Sequence, residues 1–174
     1  MAIKEYEESE MSFSFDESNL LLPEEADWQT RWEGVKVVDF IWKKSDKNLV
    51  IIEVKTSSPN FTSEKNQDNQ SKYIQTLFEK FNASIHSLMG LTLDRSNYSR
   101  FEKHPVIHSL DTLKNEINII LIIKTAKDEW LPTIQDAINT TSLFQNICKS
   151  AGVKFSVLNP EKANKLLKMN ITHK

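Results

Sequence analysis

Two runs of β-branched and aromatic residues, Val35–Lys44 and Leu49–Thr56, are separated only by Ser45-Asp46-Lys47-Asn48. Extended runs joined by so short a polar link fold back on each other as an antiparallel hairpin. With Ser45, Asp46 and Lys47 as the loop, Lys44 pairs with Asn48, Trp42 with Val50, Phe40 with Ile52 and Val38 with Val54; the loop lacks a glycine, which leaves open a length different by one residue with a compensating bulge. The last three pairs form one apolar face, the expected core side. The same parity sets Asp39 opposite Glu53, with Lys55 two residues along on the Glu53 face. A slip of one residue would turn both acids into the core, so the hydrophobic pattern itself enforces the register.

The remaining chain supplies the layers such a hairpin needs. Met11-Ser-Phe-Ser-Phe15 alternates with period two and reads as a strand. Tyr73, Leu77, Phe81, Ile85 and Leu88 recur at spacings of three or four, predicting a helix over Glu64–Met89 that Gly90 ends. Ile117–Lys124 is a β-rich run short enough to be a central strand covered on both faces. Leu131–Ser150 reads as a second helix, Val153–Leu158 as a last strand and Pro160–Met169 as a lysine-rich terminal helix. Strands alternating with helices in this order predict an α/β fold with a mixed central sheet flanked by helices. We expect a single domain over residues 1–174, made of an acidic segment (1–34), a core (35–158) and a basic C-terminal helix (159–174).

Charge is distributed unevenly along this plan. Residues 1–34 carry ten acids and two bases, a balance of −8, and the rest carries fourteen acids and twenty bases, +6, which together make the net −2. A basic body suits a polyanionic partner, while the acidic segment can pack on that body, recruit metal or stay solvated. The single cysteine, Cys148, excludes an internal disulfide framework and a cysteine-rich zinc site, and its place on an apolar helix face is that of a core residue. The longest apolar stretch, Ile117–Ile123, is well short of a membrane span. The expectation is a soluble, cytoplasmic protein with no membrane partner.

Asp39 and Glu53 raise a chemical problem. Directly opposed side chains on a sheet have Cβ atoms about 4.5–5.5 Å apart, and two carboxylates at that separation repel unless something positive lies between them. A hard divalent cation such as Mg²⁺ or Mn²⁺ answers this, and Lys55 beside it can orient water and neutralise charge growing on a phosphoryl group. The plainer reading of the same residues is an ion-pair cluster on an exposed sheet face.

Asp39 followed across a hairpin by Glu53-Val54-Lys55, with a helix and a further apolar strand downstream, resembles the PD-(D/E)xK nuclease superfamily and its restriction-endonuclease-like core. The likeness covers the hairpin closely and the order of elements from Met11 to Lys124 loosely. It departs from the motif in having Val38, not proline, before Asp39. The resemblance implies metal binding by Asp39, Glu53 and the Val54 carbonyl, and catalytic assistance by Lys55. It further implies an upstream acid, for which Glu7, Glu8 and Glu10 qualify by position and Glu33 by proximity to the hairpin, and a supporting polar residue on the following helix, where Gln70, Tyr73 and Gln75 stand.

Lys149, Lys154, Lys162, Lys165 and Lys168 form a basic C-terminal region that can track a phosphate backbone or simply be solvated. His86, His104, His108 and His173 show no paired metal-ligand spacing, and His104 and His108 beside Pro105 read as a loop pair. No Gly-rich phosphate loop, zinc module or GxSxG elbow is present, which leaves ATP use and serine hydrolysis without support. The expected function is metal-dependent hydrolysis of phosphodiesters in DNA, or RNA, with targeting by a homodimer or partner protein. The resemblance suggests an effector subunit of a defence or mobile-element system. The alternative is a nuclease-like scaffold without catalysis that binds nucleic acid or protein.

Overall fold

The computed structural model describes residues 3–25, 34–93, 104–108 and 116–173. Its centre is a five-stranded mixed sheet in the order β3-β4-β5-β6-β7 (β3, Leu20–Leu21; β4, Phe40–Ser45; β5, Asn48–Lys55; β6, Glu116–Ile123; β7, Lys154–Leu158). β4 and β5 are antiparallel, whereas β5, β6 and β7 run parallel. The connections between the parallel strands carry the helices: α1 (Gln67–Thr92) and α2 (Pro105–His108) between β5 and β6, and α3 (Leu131–Asn139) and α4 (Ser142–Ala151) between β6 and β7. An α/β protein with a mixed sheet and flanking helices is what the strand and helix periods predict.

Both faces of this sheet are buried, and strand parity sorts the side chains between them. Ile41, Leu49, Ile51, Ile119, Leu121 and Ile123 pack against α1 through Leu77, Phe81 and Leu88, and against α3 and α4 through Ile134 and Phe144. On the opposite face Phe40, Val50, Ile52, Val54, Ile120 and Ile122 meet a second layer. That layer is a three-stranded antiparallel sheet, β1-β2-β8 (β1, Ile3–Glu8; β2, Met11–Asp16; β8, Asn170–His173), with α5 (Pro160–Leu167) beside it. Met11, Phe13, Phe15, Ala163 and Ile171 fill this second core, and the Phe13 and Phe40 rings lie 5.2 Å apart.

Several sequence expectations need correcting. The hairpin loop is two residues, Asp46-Lys47: Ser45 pairs with Asn48, and a bulge at Lys44 restores the expected pairs Trp42 with Val50 and Phe40 with Ile52. The strand begins at Phe40 rather than Val35, so Val38 does not share the Phe40 face. It joins the helix-covered core, its N–H donating to Ser84 Oγ of α1 at 3.0 Å. Helix α1 runs through Gly90, because a glycine inside a helix costs only about 1 kcal/mol relative to alanine while Leu88 and Leu91 on either side are buried. The single helix foreseen over Leu131–Ser150 is two, interrupted at Thr140-Thr141, whose hydroxyls turn back onto the carbonyls of Ala137 and Ile138. The terminal helix stops at Leu167, where Lys168 adopts a left-handed conformation, and the chain enters β8. His108 closes the short helix α2 rather than lying in a loop.

The acidic stretch before Gly34 is therefore not a loose appendage in its residues 11–21. Phe13 is fully buried with rings on either side, so Phe13→Ala is expected to cost about 3–5 kcal/mol of unfolding free energy in a urea titration, far more than an exposed acidic segment would give.

Candidate active site

The strand ladder stops at Phe40, and a side chain takes over from the backbone. Two residues past Ile52, the Val54 N–H donates to Asp39 Oδ2 at 2.6 Å. This bond fixes the Asp39 carboxylate against the end of β5, on the side where Glu53 emerges. Glu53 is wholly buried and Asp39 nearly so, which rules out an exposed surface cluster.

What lies between the carboxylates is a lysine from the neighbouring helix. Lys80 Nζ of α1 is 3.3 Å from Asp39 Oδ1 and 2.8 Å from Glu53 Oε1, and it donates to Glu53 Oε2 at 3.0 Å. Lys55 Nζ approaches Glu53 Oε1 to 2.6 Å from the more open side, its side chain 29% exposed. Oε1 thus has two ammonium groups at ion-pair distance, yet neither is aligned to make a directed hydrogen bond with it. Two negative and two positive groups balance, which explains how the fold tolerates acids in its most apolar strands.

Burial dominates the protonation equilibria. Desolvation, then repulsion from Asp39, pushes the Glu53 carboxyl up to about 7, against the pull of Lys80 and Lys55. Asp39 is also raised, chiefly by desolvation, with Lys80 and the Val54 N–H working the other way. The Lys80 ammonium lies above its ordinary range because the two carboxylates outweigh its own burial. Nearby, the Tyr73 hydroxyl is raised by desolvation and by the charge of Glu53, and it has no hydrogen-bond partner among the described residues.

The structure brings together Asp39, Glu53 and Lys55, as the hairpin parity predicts, with the Val54 backbone, named by the resemblance, between them, and adds Lys80. Nothing in the motif points to Lys80. Its signal is helical: it follows Leu77 by three residues and precedes Ser84 by four, beside the apolar stripe that faces the sheet. The other candidates fall elsewhere. Glu10 sits at the tip of the β1–β2 hairpin, where Ser9 and Glu10 both take positive φ in a two-residue loop. Its carboxylate pairs with Lys124 at 2.7 Å, which holds its pKa low, while Ser9 Oγ reaches Glu8 Oε1 at 3.1 Å and the Val54 carbonyl at 3.4 Å. Glu33 lies outside the described residues. Gln70 turns away from the acids: its Nε2 donates to the carbonyls of Asn60 and Ser63 at 2.7 and 3.1 Å, tying down the loop after β5. Gln75 pairs with Glu79 on the exposed face of α1.

The basic C-terminal residues are spread over α4, β7, α5 and the residue after it, Lys168, and two of them are partnered, Lys154 with Glu116 and Lys162 with Asp128. Cys148 packs against the helix-side core, and its thiol is raised by burial. Among the described residues no helix is long and apolar enough to cross a membrane. Compared with family models, curated proteins and solved structures, the chain finds no match in any of the three.

As oxygen donors, Asp39 and Glu53 suit a hard cation, which characteristically takes one or two carboxylates and keeps several waters. Among the described residues no group of three or more acidic, histidine or cysteine side chains is assembled.

Two stability outcomes follow from the charge balance. Removing Lys80 leaves two buried acids compensated by Lys55 alone, so Lys80→Ala should lose about 3–5 kcal/mol at neutral pH in a denaturant titration. The folded-state pKa of Glu53 exceeds its unfolded value of 4.5, so its contribution is fully present below pH 4.5 and is lost as pH rises through about 7. Thermal melts across that window should therefore fall more steeply for the wild type than for Glu53→Gln.

Proposed function

We propose that this chain is a metal-dependent nuclease with a restriction-endonuclease-like core, hydrolysing phosphodiester bonds in DNA or RNA. The observation that carries the reading is the meeting of Asp39, Glu53 and Lys55 where β4 begins and β5 ends, with Glu53 buried. Asp39 and Glu53, with the Val54 carbonyl, would hold Mg²⁺ or Mn²⁺. When bound, such an ion supplies Lewis-acid stabilisation of a phosphoryl oxygen and lowers the pKa of a coordinated water.

The chain's own residues have separable tasks. The Val54 N–H orients Asp39. Glu53 would supply carboxylate oxygens to the ion, which requires its deprotonated form. Lys55 is the more exposed of the two ammonium groups, so it is the one able to reach substrate and offset negative charge developing on the phosphate. Lys80 compensates the carboxylates from the protein side. On the resemblance of the hairpin, the nuclease would be an effector subunit of a defence or mobile-element system, aimed at its target by a homodimer or a partner protein. The lone Cys148 suits a reducing, cytoplasmic setting.

A second reading rests on Lys80. An ammonium already on both carboxylates, with no third acid beside them among the described residues, is what a scaffold that has lost its chemistry would retain while binding nucleic acid or protein.

Incubation with supercoiled plasmid or single-stranded DNA and Mg²⁺ or Mn²⁺ separates the two. Nicking by the wild type should fall by about 100- to 1,000-fold in Lys55→Ala and in the isosteric Glu53→Gln. Equal nicking by all three proteins would reject the site, and no nicking by the wild type under any condition would assign the scaffold.

A further inference from the structure

Beyond the carboxylates, where the parallel strands β5 and β6 release their chains, the two following loops enclose a pocket of about 280 Å³. Its walls come from Ser58–Thr62 on one side and from Thr125, Ala126, Trp130, Thr133 and Ile134 on the other. The size is just below the usual range of small-ligand pockets, about 300–1,000 Å³, so it suits one small planar group rather than a duplex.

The lining is chemically selective. None of its residues is ionisable. Two are aromatic, Phe61 and Trp130, and five carry neutral hydroxyl or amide groups. Ser58 Oγ, Asn60 Nδ2 and Thr133 Oγ1 make no hydrogen bond to another described residue, whereas Asn60 Oδ1 is spent on Thr62, at 2.9 Å from its N–H and 2.7 Å from its hydroxyl. One positive charge stands at the edge of the walls, Lys127, with Nζ 5.1 Å from the Trp130 ring centre; Lys124, before Thr125, is paired with Glu10. An uncharged interior with aromatic walls matches an uncharged aromatic heterocycle.

The pocket adjoins the strand ends that carry the carboxylate site. Thr125 N–H donates to the Thr56 carbonyl at 3.1 Å and Lys124 N–H to that of Lys55 at 2.8 Å, so one wall starts beside the residue after Lys55 and the other at Ser58, three residues past it. Ala126 and Ile134 belong to the core on the sheet face shared by Leu121, the register partner of Glu53. Phe61 packs edge-on against Tyr73, ring centres 6.1 Å apart, and the Tyr73 hydroxyl feels the charge of Glu53. The Gln70 bonds that tie Asn60 and Ser63 to α1 hold the loop in place.

From these observations we infer that the pocket between the loops after β5 and β6 binds one unpaired nucleobase, making the substrate single-stranded nucleic acid or a frayed end whose adjacent phosphate lies at Lys55. This rests on the nuclease reading for the phosphate but not for the base. Gln70 is then a positioning residue for the base pocket and not for the carboxylates.

Binding measured without divalent metal keeps the two proposals apart. Fluorescence anisotropy would follow labelled oligothymidylate, the same strand in duplex with oligodeoxyadenylate, and competition by thymidine monophosphate. The wild type should hold the single strand more tightly than the duplex. Trp130 is 45% exposed, so Trp130→Ala should fold normally, and it should weaken single-strand binding by about 5- to 150-fold while leaving duplex binding unchanged. Unchanged single-strand affinity in Trp130→Ala, a preference for duplex, or no binding would overturn the inference even if plasmid nicking depends on Lys55. Competition by the mononucleotide at the same concentration as the strand would assign the pocket to a free nucleotide and overturn it equally. Loss of strand binding in Trp130→Ala with no nicking by any protein would uphold the base pocket and reject the nuclease.

Discussion

The Lys80 ammonium, held between two carboxylates at the end of a buried strand, is the contact on which the sheet's most unusual region depends. Asp39 and Glu53 stand on a face otherwise made of Ile41, Leu49 and Ile51 and covered by α1. Without a cation from the covering helix, either acid would be an uncompensated buried charge or would take up a proton. The helix therefore does more than close the core: the turn that packs Leu77 and Phe81 on the sheet also delivers the charge that lets the strand end in acids. Ser84, one turn further on, accepts the Val38 N–H and fixes the approach of the chain to Asp39.

Such a quartet is compatible with catalysis because it is unevenly finished. Asp39 is well satisfied, with one oxygen on a backbone N–H and the other near Lys80. Glu53 is surrounded by charge without good alignment, and its protonation is balanced close to neutrality. Local strain points to the same region: Ser9 and Glu10 adopt left-handed backbone without glycine, at roughly 1–2 kcal/mol per residue, and the turn they make puts a hydroxyl near the Val54 carbonyl.

The hairpin was the most legible part of the chain because period two leaves little freedom. Phe40, Trp42, Val50 and Ile52 fix the register, which brings Asp39 to the end of β5, where the Val54 N–H and Lys80 hold it beside Glu53. Val38 shows the limit: its apolar character fits either core, and only the tertiary bond to Ser84 decides between them. The second core was hardest to read. Ile3–Glu8 is mostly exposed and acidic, and Asn170–His173 is too short to display a pattern, so β1 and β8 exist because β2 offers them hydrogen bonds, not because their own sequences demand extension. Lys80 and the pocket were illegible for a related reason. Each depends on residues far apart in sequence, on α1 against the hairpin and on two separate loops, and neither spacing has a motif.

The pairing of β2 with β8 sets Phe13 opposite Ile171 and Met11 opposite His173. This joins segments separated by nearly the whole described chain, a contact whose closure entropy must be met before its burial is rewarded. On the ribosome, the aromatic side chains of residues 13 and 15 emerge before Ile171 and wait through the synthesis of everything between for that neighbour. During that interval β2 presents one unsatisfied edge, the template on which strands of other chains can add. Translation pauses or a holdase chaperone would consequently matter more to the yield of this protein than its final stability suggests.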